Sequence, residues 1–108
     1  MSQVRKAKLR PDRRQRGHYL LRLFMAGHGP NSRQALLNLR QLCEEHLKDH
    51  YIIEAIDVVK NFEEAVKDNI LVTPALILVA PLPRVVVLGN LSDRQKVLLA
   101  LRLPEGKP

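Results

Sequence analysis

The sequence predicts one small α/β domain with the element order β-α-β-α-β-β-α. Short apolar runs typical of buried strands alternate with segments of helical periodicity, and the initial strand, helix, strand run indicates a right-handed parallel crossover. A chain of 108 residues can bury one modest core. We therefore expect a single domain over residues 19–103, followed by a short tail, 104–108.

The first three elements form the predicted crossover. Residues 19–25 are an apolar run interrupted by one arginine and followed by a Gly/Pro turn, which is typical of a buried strand. Asn31 or Ser32 is then placed to cap a helix that runs to about His50, with apolar residues at i+3 and i+4 spacing. The next apolar run, residues 51–59, predicts the second strand.

A short helix and two strands follow. Asn61 is placed to cap this helix, which carries two glutamates in its first turn and ends near Asp68. Residues 75–79 and 85–88 are apolar runs separated by two prolines. Because proline cannot donate to a sheet ladder, these prolines fit a turn between strands.

A capping box predicts the last helix. Ser92 and Gln95 have the spacing at which each side chain bonds the backbone of the other, so we expect a helix over residues 93–103. Gly89 closes the preceding strand, and Pro74, in a Thr-Pro pair, precedes the third strand. The complete order is that of thioredoxin-like proteins, in which this proline is typically cis.

The positive charge of the chain is concentrated at its N-terminus. Residues 1–18 hold seven basic side chains and one acidic one, whereas residues 19–108 hold eleven and ten. The segment has no hydrophobic periodicity, so we expect a disordered, solubilising extension. Docking to an acidic protein surface or to nucleic acid stays open. Specific nucleic-acid recognition is not expected, because no aromatic side chain before Tyr19 could stack on a base.

The chain is expected to be cytoplasmic and to bind no membrane. No apolar run approaches the ~20 residues that a membrane-spanning helix needs. The basic start is not followed by an apolar segment that would make it a signal peptide.

Thiol chemistry is not expected. A thioredoxin-type oxidoreductase needs a low-pKa cysteine at the start of the first helix, and the turn at residues 27–32 contains none. The single cysteine, Cys43, falls on the apolar face of that helix, where a small buried side chain is expected. A degenerate thiol oxidoreductase is kept as an alternative.

Histidines suggest two further sites, and neither is complete. His46 and His50 have the i, i+4 spacing that can hold a metal, but no obvious Cys or His partner completes the set, and imidazoles also suit a helix C-terminus. His28 and Ser32 lack the third, orienting group of a nucleophilic triad. We therefore expect no metal, no cofactor and no catalysis.

Several motifs follow one another in register along the chain. They are Tyr19-x-Leu21-x-Leu23-Phe24-x-Ala26-Gly27 with Pro30-Asn31-Ser32, Ile56-Asp57-Val58-x-Lys60-Asn61, Ile70-Leu71-x-Thr73-Pro74, and Gly89-x-Leu91-Ser92-x-Arg94. From Tyr19 to about Leu103 the chain resembles the KaiB family, which comprises proteins of the cyanobacterial circadian clock and their bacterial homologues.

The resemblance implies a non-enzymatic partner of KaiC, a ring-shaped ATPase, in a circuit with KaiA and a histidine kinase. It also implies two alternative folds, a tetrameric ground state and a thioredoxin-like monomer that binds KaiC. Ala100 and Arg102 stand where the family has Gly and Asp, and both changes favour a helix. The acidic tail of clock homologues is also missing. We expect the thioredoxin-like fold and a monomer, with a dimer or tetramer left open.

The resemblance also suggests a docking surface on the second helix, its flanking loop and the edge of the second strand. Glu54 and Asn69 replace lysines of the clock homologues, whereas Asp57 and Lys60 are kept. This pattern suits a divergent paralogue with a paralogous KaiC partner. The residues that we expect to make contact are Tyr51, Ile52, Glu54, Lys60, Lys67 and Asn69.

Overall fold

The computed structural model describes residues 18–103. The predictions for the basic extension, apart from His18, and for the tail 104–108 lie outside these residues. Within them the chain forms four strands and three helices in the predicted order. The elements are β1 (Tyr19–Met25), α1 (Pro30–His46), β2 (Tyr51–Asp57), α2 (Phe62–Lys67), β3 (Ala75–Ala80), β4 (Val85–Leu88) and α3 (Arg94–Ala100).

The strands form one mixed sheet in the order β2-β1-β3-β4. β1 and β2 are parallel, with Tyr19 opposite Tyr51 and Met25 opposite Asp57, which confirms the parallel pairing of the predicted crossover. β3 is antiparallel to both β1 and β4. β2 and β4 are therefore the two edges of the sheet.

The two faces of the sheet carry separate cores. Because side chains alternate along a strand, Leu21 and Leu23 of β1 pack with α1 and α3, whereas Phe24 packs beneath α2. The α1 side holds most of the buried side chains, including Leu39 and Cys43, both 0% exposed. No helix in residues 18–103 is both long enough and apolar enough to span a bilayer.

The prediction that Asn31 or Ser32 caps α1 is wrong. The helix begins at Pro30 with Gly29 in the capping position, because a proline is well suited to a first helical turn, where its missing N–H would be unpaired anyway. Ser32 is buried inside the first turn, and its hydroxyl accepts a hydrogen bond of 3.3 Å from the backbone N–H of Ala26. It therefore ties the helix to the end of β1.

The helix also ends earlier than predicted, at His46. Asp49 adopts a left-handed φ of 66°, and the N–H of His50 bonds the carbonyl of Leu47, so that these residues form a turn. His46 and His50 consequently do not share a helix, so the expectation that both lie at i, i+4 positions of one helix is wrong.

The second strand ends at Asp57, two residues before its predicted end. The Asp57 carboxylate accepts the N–H of Val59 at 3.0 Å, a local bond that favours a turn over continued strand. Asn61 then takes the predicted capping position of α2, but its side chain makes no capping bond; it donates to the Asp57 carbonyl at 3.2 Å.

Asp93, and not the predicted Ser92 and Gln95 box, caps α3. Its carboxylate accepts the N–H of Lys96 at 3.2 Å, as an N-cap carboxylate does. The N–H of Ser92 instead donates to the side chain of Asn90 at 3.0 Å.

Pro74 and Gly89, which the sequence places at the ends of two neighbouring strands and which we expect to determine the fold, contact each other. The Thr73-Pro74 bond is cis, as predicted. Gly89 donates its N–H to the Pro74 carbonyl at 2.9 Å with a φ of 104°, a conformation that glycine adopts far more readily than other residues. These two residues join the start of β3 to the end of β4.

Ala100 and Arg102, which are both expected to favour the last helix, act differently from one another. Ala100 is the last residue of α3, where Ala is more favourable than Gly. Arg102 lies beyond the helix with a φ of 59°, so its predicted role as a helical residue is wrong. Its guanidinium donates to the carbonyls of Pro81 at 2.9 Å and Leu82 at 3.2 Å. Arg102 thus holds the turn between β3 and β4.

Replacing Arg102 by Ala should lower the free energy of unfolding by about 1 kcal/mol, because two hydrogen bonds from a charged but exposed group are lost. Urea unfolding followed by circular dichroism measures the change. Lys96→Ala, which removes an equal charge from the exposed side of α3, is the control. Equal effects of the two substitutions would contradict the role of Arg102.

If the expected preference for the thioredoxin-like monomer holds, the double variant Ala100→Gly, Arg102→Asp should shift the chain toward the tetramer that the family resemblance implies. It weakens the last turn of α3 and places a carboxylate where a donor faced the carbonyls of Pro81 and Leu82. Light scattering after gel filtration, together with circular dichroism, measures the shift. Lys96→Asp makes the same change of charge and should keep the wild-type size. A double variant with wild-type size and spectrum would contradict the predicted preference.

Candidate docking surface

Three of the predicted contacts flank α2, and all three are exposed. Lys60 lies in the turn before the helix, and Lys67 and Asn69 lie at its C-terminal end, with Lys67 as its last residue. Asn69 ends the helix: it has a φ of 58°, and its N–H bonds the Val66 carbonyl. Asn tolerates this left-handed conformation better than most residues, which is a structural reason for an Asn at this position.

The other predicted contacts, Tyr51, Ile52 and Glu54, lie on β2, at an edge of the sheet. Alternation along the strand divides them between the two faces. Tyr51 packs against the core under α1, whereas Ile52 and Glu54 lie on the face that carries α2. The structure therefore groups five of the six predicted contacts on the α2 side and places Tyr51 on the opposite face.

Tyr51 holds α1 against the start of β2. Its hydroxyl donates to the carboxylate of Glu44, and this bond is the main cause that raises the pKa of Tyr51 to about 12. Its contacts are those of a side chain that positions β2.

Glu54 belongs to an ion-pair network on the α2 face. Arg22 of β1 donates to Glu54 at 3.0 Å and to Asp68 at 3.1 Å, and Arg84 lies 3.6 Å from the other Asp68 oxygen. Burial acts to lower the pKa of Arg22, but the bonds to the two carboxylates outweigh it and the pKa is raised. The network joins β1, β2 and the segment after α2.

Sequence reasoning missed a set of exposed apolar side chains around α2. Leu71 is 93% exposed and Phe62 68% exposed, and an open groove of about 330 Å³ at the start of the helix has Phe62 in its wall. Large exposed apolar patches mark interaction sites. We call this set, with Lys60, Lys67 and Asn69, the α2 surface; its apolar members are Val59, Phe62, Val66, Leu71 and Val72.

The sequence pattern of α2 hides these residues. Phe62, Ala65 and Val66 have the i, i+3, i+4 spacing of a buried stripe, yet Ala65 is the one residue of the six in α2 that is buried. The small alanine lies against the sheet, and the two larger side chains on either side of it lie in solvent. The sequence pattern fits both a fully buried stripe and a stripe in which the alanine alone is buried. Only the position of the helix on the sheet shows which of the two is present.

Asp57 positions the turn from which the α2 surface starts. Its carboxylate accepts the N–H of Gly27 and the N–H of Val59, each at 3.0 Å. Both hydrogen bonds lower the pKa of Asp57, and the bond from Gly27 has the larger effect. One carboxylate therefore fixes both the turn after β1 and the turn after β2.

The one cysteine is not placed for thiol chemistry. Cys43 is 0% exposed in the core under α1, and burial raises the pKa of its thiol to about 12. Its predicted burial is confirmed. A buried, protonated thiol does not support the thiol oxidoreductase alternative.

Comparison with known proteins decides the family. The KaiB domain family matches residues 22–103. The chain belongs to the KaiB family. It is 45% identical over 89 residues to the circadian clock oscillator protein KaiB of Synechococcus elongatus, covering 82% of this chain and 87% of that protein. It is 46% identical over 85 residues to the KaiB of Microcystis aeruginosa, covering 79% of this chain and 82% of that one.

Solved structures confirm the thioredoxin-like fold. The N-terminal domain of SasA from Synechococcus elongatus superposes with a TM-score of 0.68 at 23% identity, covering 86% of this chain and 91% of that domain. Fasciola hepatica thioredoxin superposes with a TM-score of 0.66 at 17% identity, covering 94% of each chain. This KaiB-family chain thus has the fold that its element order predicts.

The lowered pKa of Asp57 predicts a pH dependence of stability. A carboxyl group whose pKa is lower in the folded state stabilises the fold above its unfolded pKa of about 3.9. The contribution is lost as the pH falls from about 5 through the lowered pKa. Between pH 7 and pH 3, Asp57→Asn should therefore lose less stability than the wild type, although it starts from a lower value.

Chemical denaturation at a series of pH values measures this difference. Asp49→Asn is the matched control, because it removes the same charge from an exposed turn and suits the left-handed backbone there. If the Asp57 and Asp49 variants show the same pH profile, the two backbone bonds do not stabilise the charged carboxylate.

Proposed function

We propose that this KaiB-family protein is a non-enzymatic docking module for a KaiC-family ATPase in a clock-related or stress-signalling circuit. The partner binds the α2 surface and the adjoining edge of β2. The observation that carries the proposal is the group of exposed apolar side chains around α2, on the same face of the sheet as Ile52 and Glu54.

The α2 surface has the composition of a protein interface. Interface centres are enriched in aromatic and aliphatic side chains, surrounded by a polar rim. Phe62 supplies an exposed aromatic side chain at the groove, and Val66 and Leu71 extend the apolar area. The rim carries both signs of charge, because Glu63 and Glu64 of the first turn line the groove together with Lys60, and Lys67 lies at the far end of the helix. Such a mixed polar rim favours a partner with a complementary charge pattern.

The edge of β2 adds a second mode of contact. One side of the strand bonds β1, and the other has no strand partner among residues 18–103. Such an edge is a template for a strand of a partner. The bond between Arg22 and Glu54 holds the strand in place, so that its edge is preorganised for pairing.

Two substitutions suggest a KaiC paralogue as the partner. Glu54 and Asn69 stand where clock homologues have lysines, so the surface is less basic than theirs. Glu54 bonds Arg22, and Asn69 ends α2. A partner surface with fewer acidic groups at the facing positions would match this chain. A KaiA-like protein and a clock-type histidine kinase complete the proposed circuit.

Binding to each KaiC-type ATPase of the host, measured by biolayer interferometry with nucleotide present, tests the proposal. Phe62→Ala should weaken binding at least tenfold, since an aromatic side chain at the centre of an interface carries a large share of the affinity. The substitution should leave folding intact, because the side chain is exposed.

Leu99→Ala is the matched control, because Leu99 is 73% exposed on α3 and outside the α2 surface. It should bind like the wild type. Two results would overturn the proposal: wild-type protein that associates with none of these ATPases, or equal losses in the Phe62 and Leu99 variants.

A further inference from the structure

The outer edge of β4 is an apolar surface that lies outside the α2 surface. β4 is an edge of the sheet, and on its outer side it has no strand partner among residues 18–103. All four of its residues are apolar. Val85 and Val87 pack with the core under α1, whereas Val86 and Leu88 are 44% and 50% exposed on the opposite face. The edge therefore presents two exposed apolar side chains and no charge.

The backbone groups of Val86 and Leu88 point away from the sheet. The N–H of Gly89 bonds the carbonyl of Pro74 across the ladder between β3 and β4. In an antiparallel ladder, hydrogen-bonded pairs alternate with pairs that are not hydrogen-bonded. Counting back from Gly89, the odd-numbered residues of β4 therefore bond β3. The N–H and carbonyl groups of Val86 and Leu88 are directed at the open side of the strand.

We propose that this edge pairs with the same edge of a second copy of the chain, in antiparallel orientation about a twofold axis. The axis places Val86 opposite Leu88 of the second copy, and Leu88 opposite the Val86 of that copy. Each pair can exchange both of its N–H···O bonds, because all of these groups point outward. The exposed side chains of both copies then meet on one face of a continuous sheet, where cross-strand apolar pairs are stabilising.

The distribution of charge favours a second copy at this edge. No charged residue lies between Val85 and Gly89, and the nearest one, Arg84, lies 3.6 Å from Asp68 of its own chain. Because the pairing is antiparallel, the two Arg84 side chains lie at its opposite ends. The same pairing at the other edge of the sheet would place Glu54, the middle residue of β2, opposite its own copy. Like charges directly opposite each other are destabilising, so β4 is the edge suited to self-pairing.

The pairing is expected to be weak. Stable interfaces bury about 800 Å² on each partner, which is more than one short strand provides, and β4 has four residues. The chain should therefore be a monomer at about 10 μM and a dimer in part at about 1 mM. The proposal is independent of the proposed ATPase partner, since it uses neither the α2 surface nor the edge of β2.

Sedimentation velocity of the tag-free, full-length protein over this range of concentration measures the self-association. Val86→Lys should weaken it at least tenfold, because a lysine on an edge strand opposes pairing. Ala55→Lys is the matched control, because it adds the same charge at an exposed position of β2, the other edge of the sheet. It should associate like the wild type.

A second measurement uses the wild-type protein, so that it does not depend on how the variants fold. Amide hydrogen exchange followed by NMR should slow at Val86 and Leu88 as the protein concentration rises, whereas exchange along β2 should not change. Three results would overturn the proposal. They are no self-association at the highest concentration, equal association of the Val86 and Ala55 variants, and slow exchange at Val86 and Leu88 at every concentration, which would mean that another segment of the same chain covers the edge.

Discussion

The structure depends on how the central strand β1 accommodates a charge. β1 has a neighbouring strand on each side and a core on each face, and its leucines and Phe24 fill those cores. Arg22 interrupts this apolar strand, and its half-buried guanidinium, with 28% of the side chain exposed, is stabilised by pairing with carboxylates. Glu54 and Asp68 provide the pairing, so one residue of β1 ties both β2 and the chain after α2 to the centre of the sheet.

The unequal covering of the two sheet faces creates the α2 surface. α1 has seventeen residues and packs with α3 over one face, whereas α2 has six. So short a helix covers part of the opposite face, and its one buried side chain is that of an alanine. Phe62 and Val66 remain in solvent as a consequence, and they supply much of the exposed apolar area of the α2 surface.

Arg102 favours the observed fold although it does not belong to a helix. Arg102 has a left-handed φ, a conformation that is unfavourable for most residues other than Gly and Asn. Its bonds to Pro81 and Leu82 exist only when the end of the chain lies beside the turn between β3 and β4. The residue therefore stabilises the thioredoxin-like arrangement through a tertiary contact, and helix propensity applies to Ala100 alone.

The sequence by itself determined the element order, the strands to within two residues, the burial of Cys43 and the family, because these depend on local hydrophobic patterns and on motifs in register. The tertiary structure decided the caps, the partner of Arg102 and the exposure of Phe62. Each of these depends on which groups from distant parts of the chain come into contact. The hydrophobic period of a strand, 2 residues, or of a helix, 3.6 residues, carries no information about such contacts.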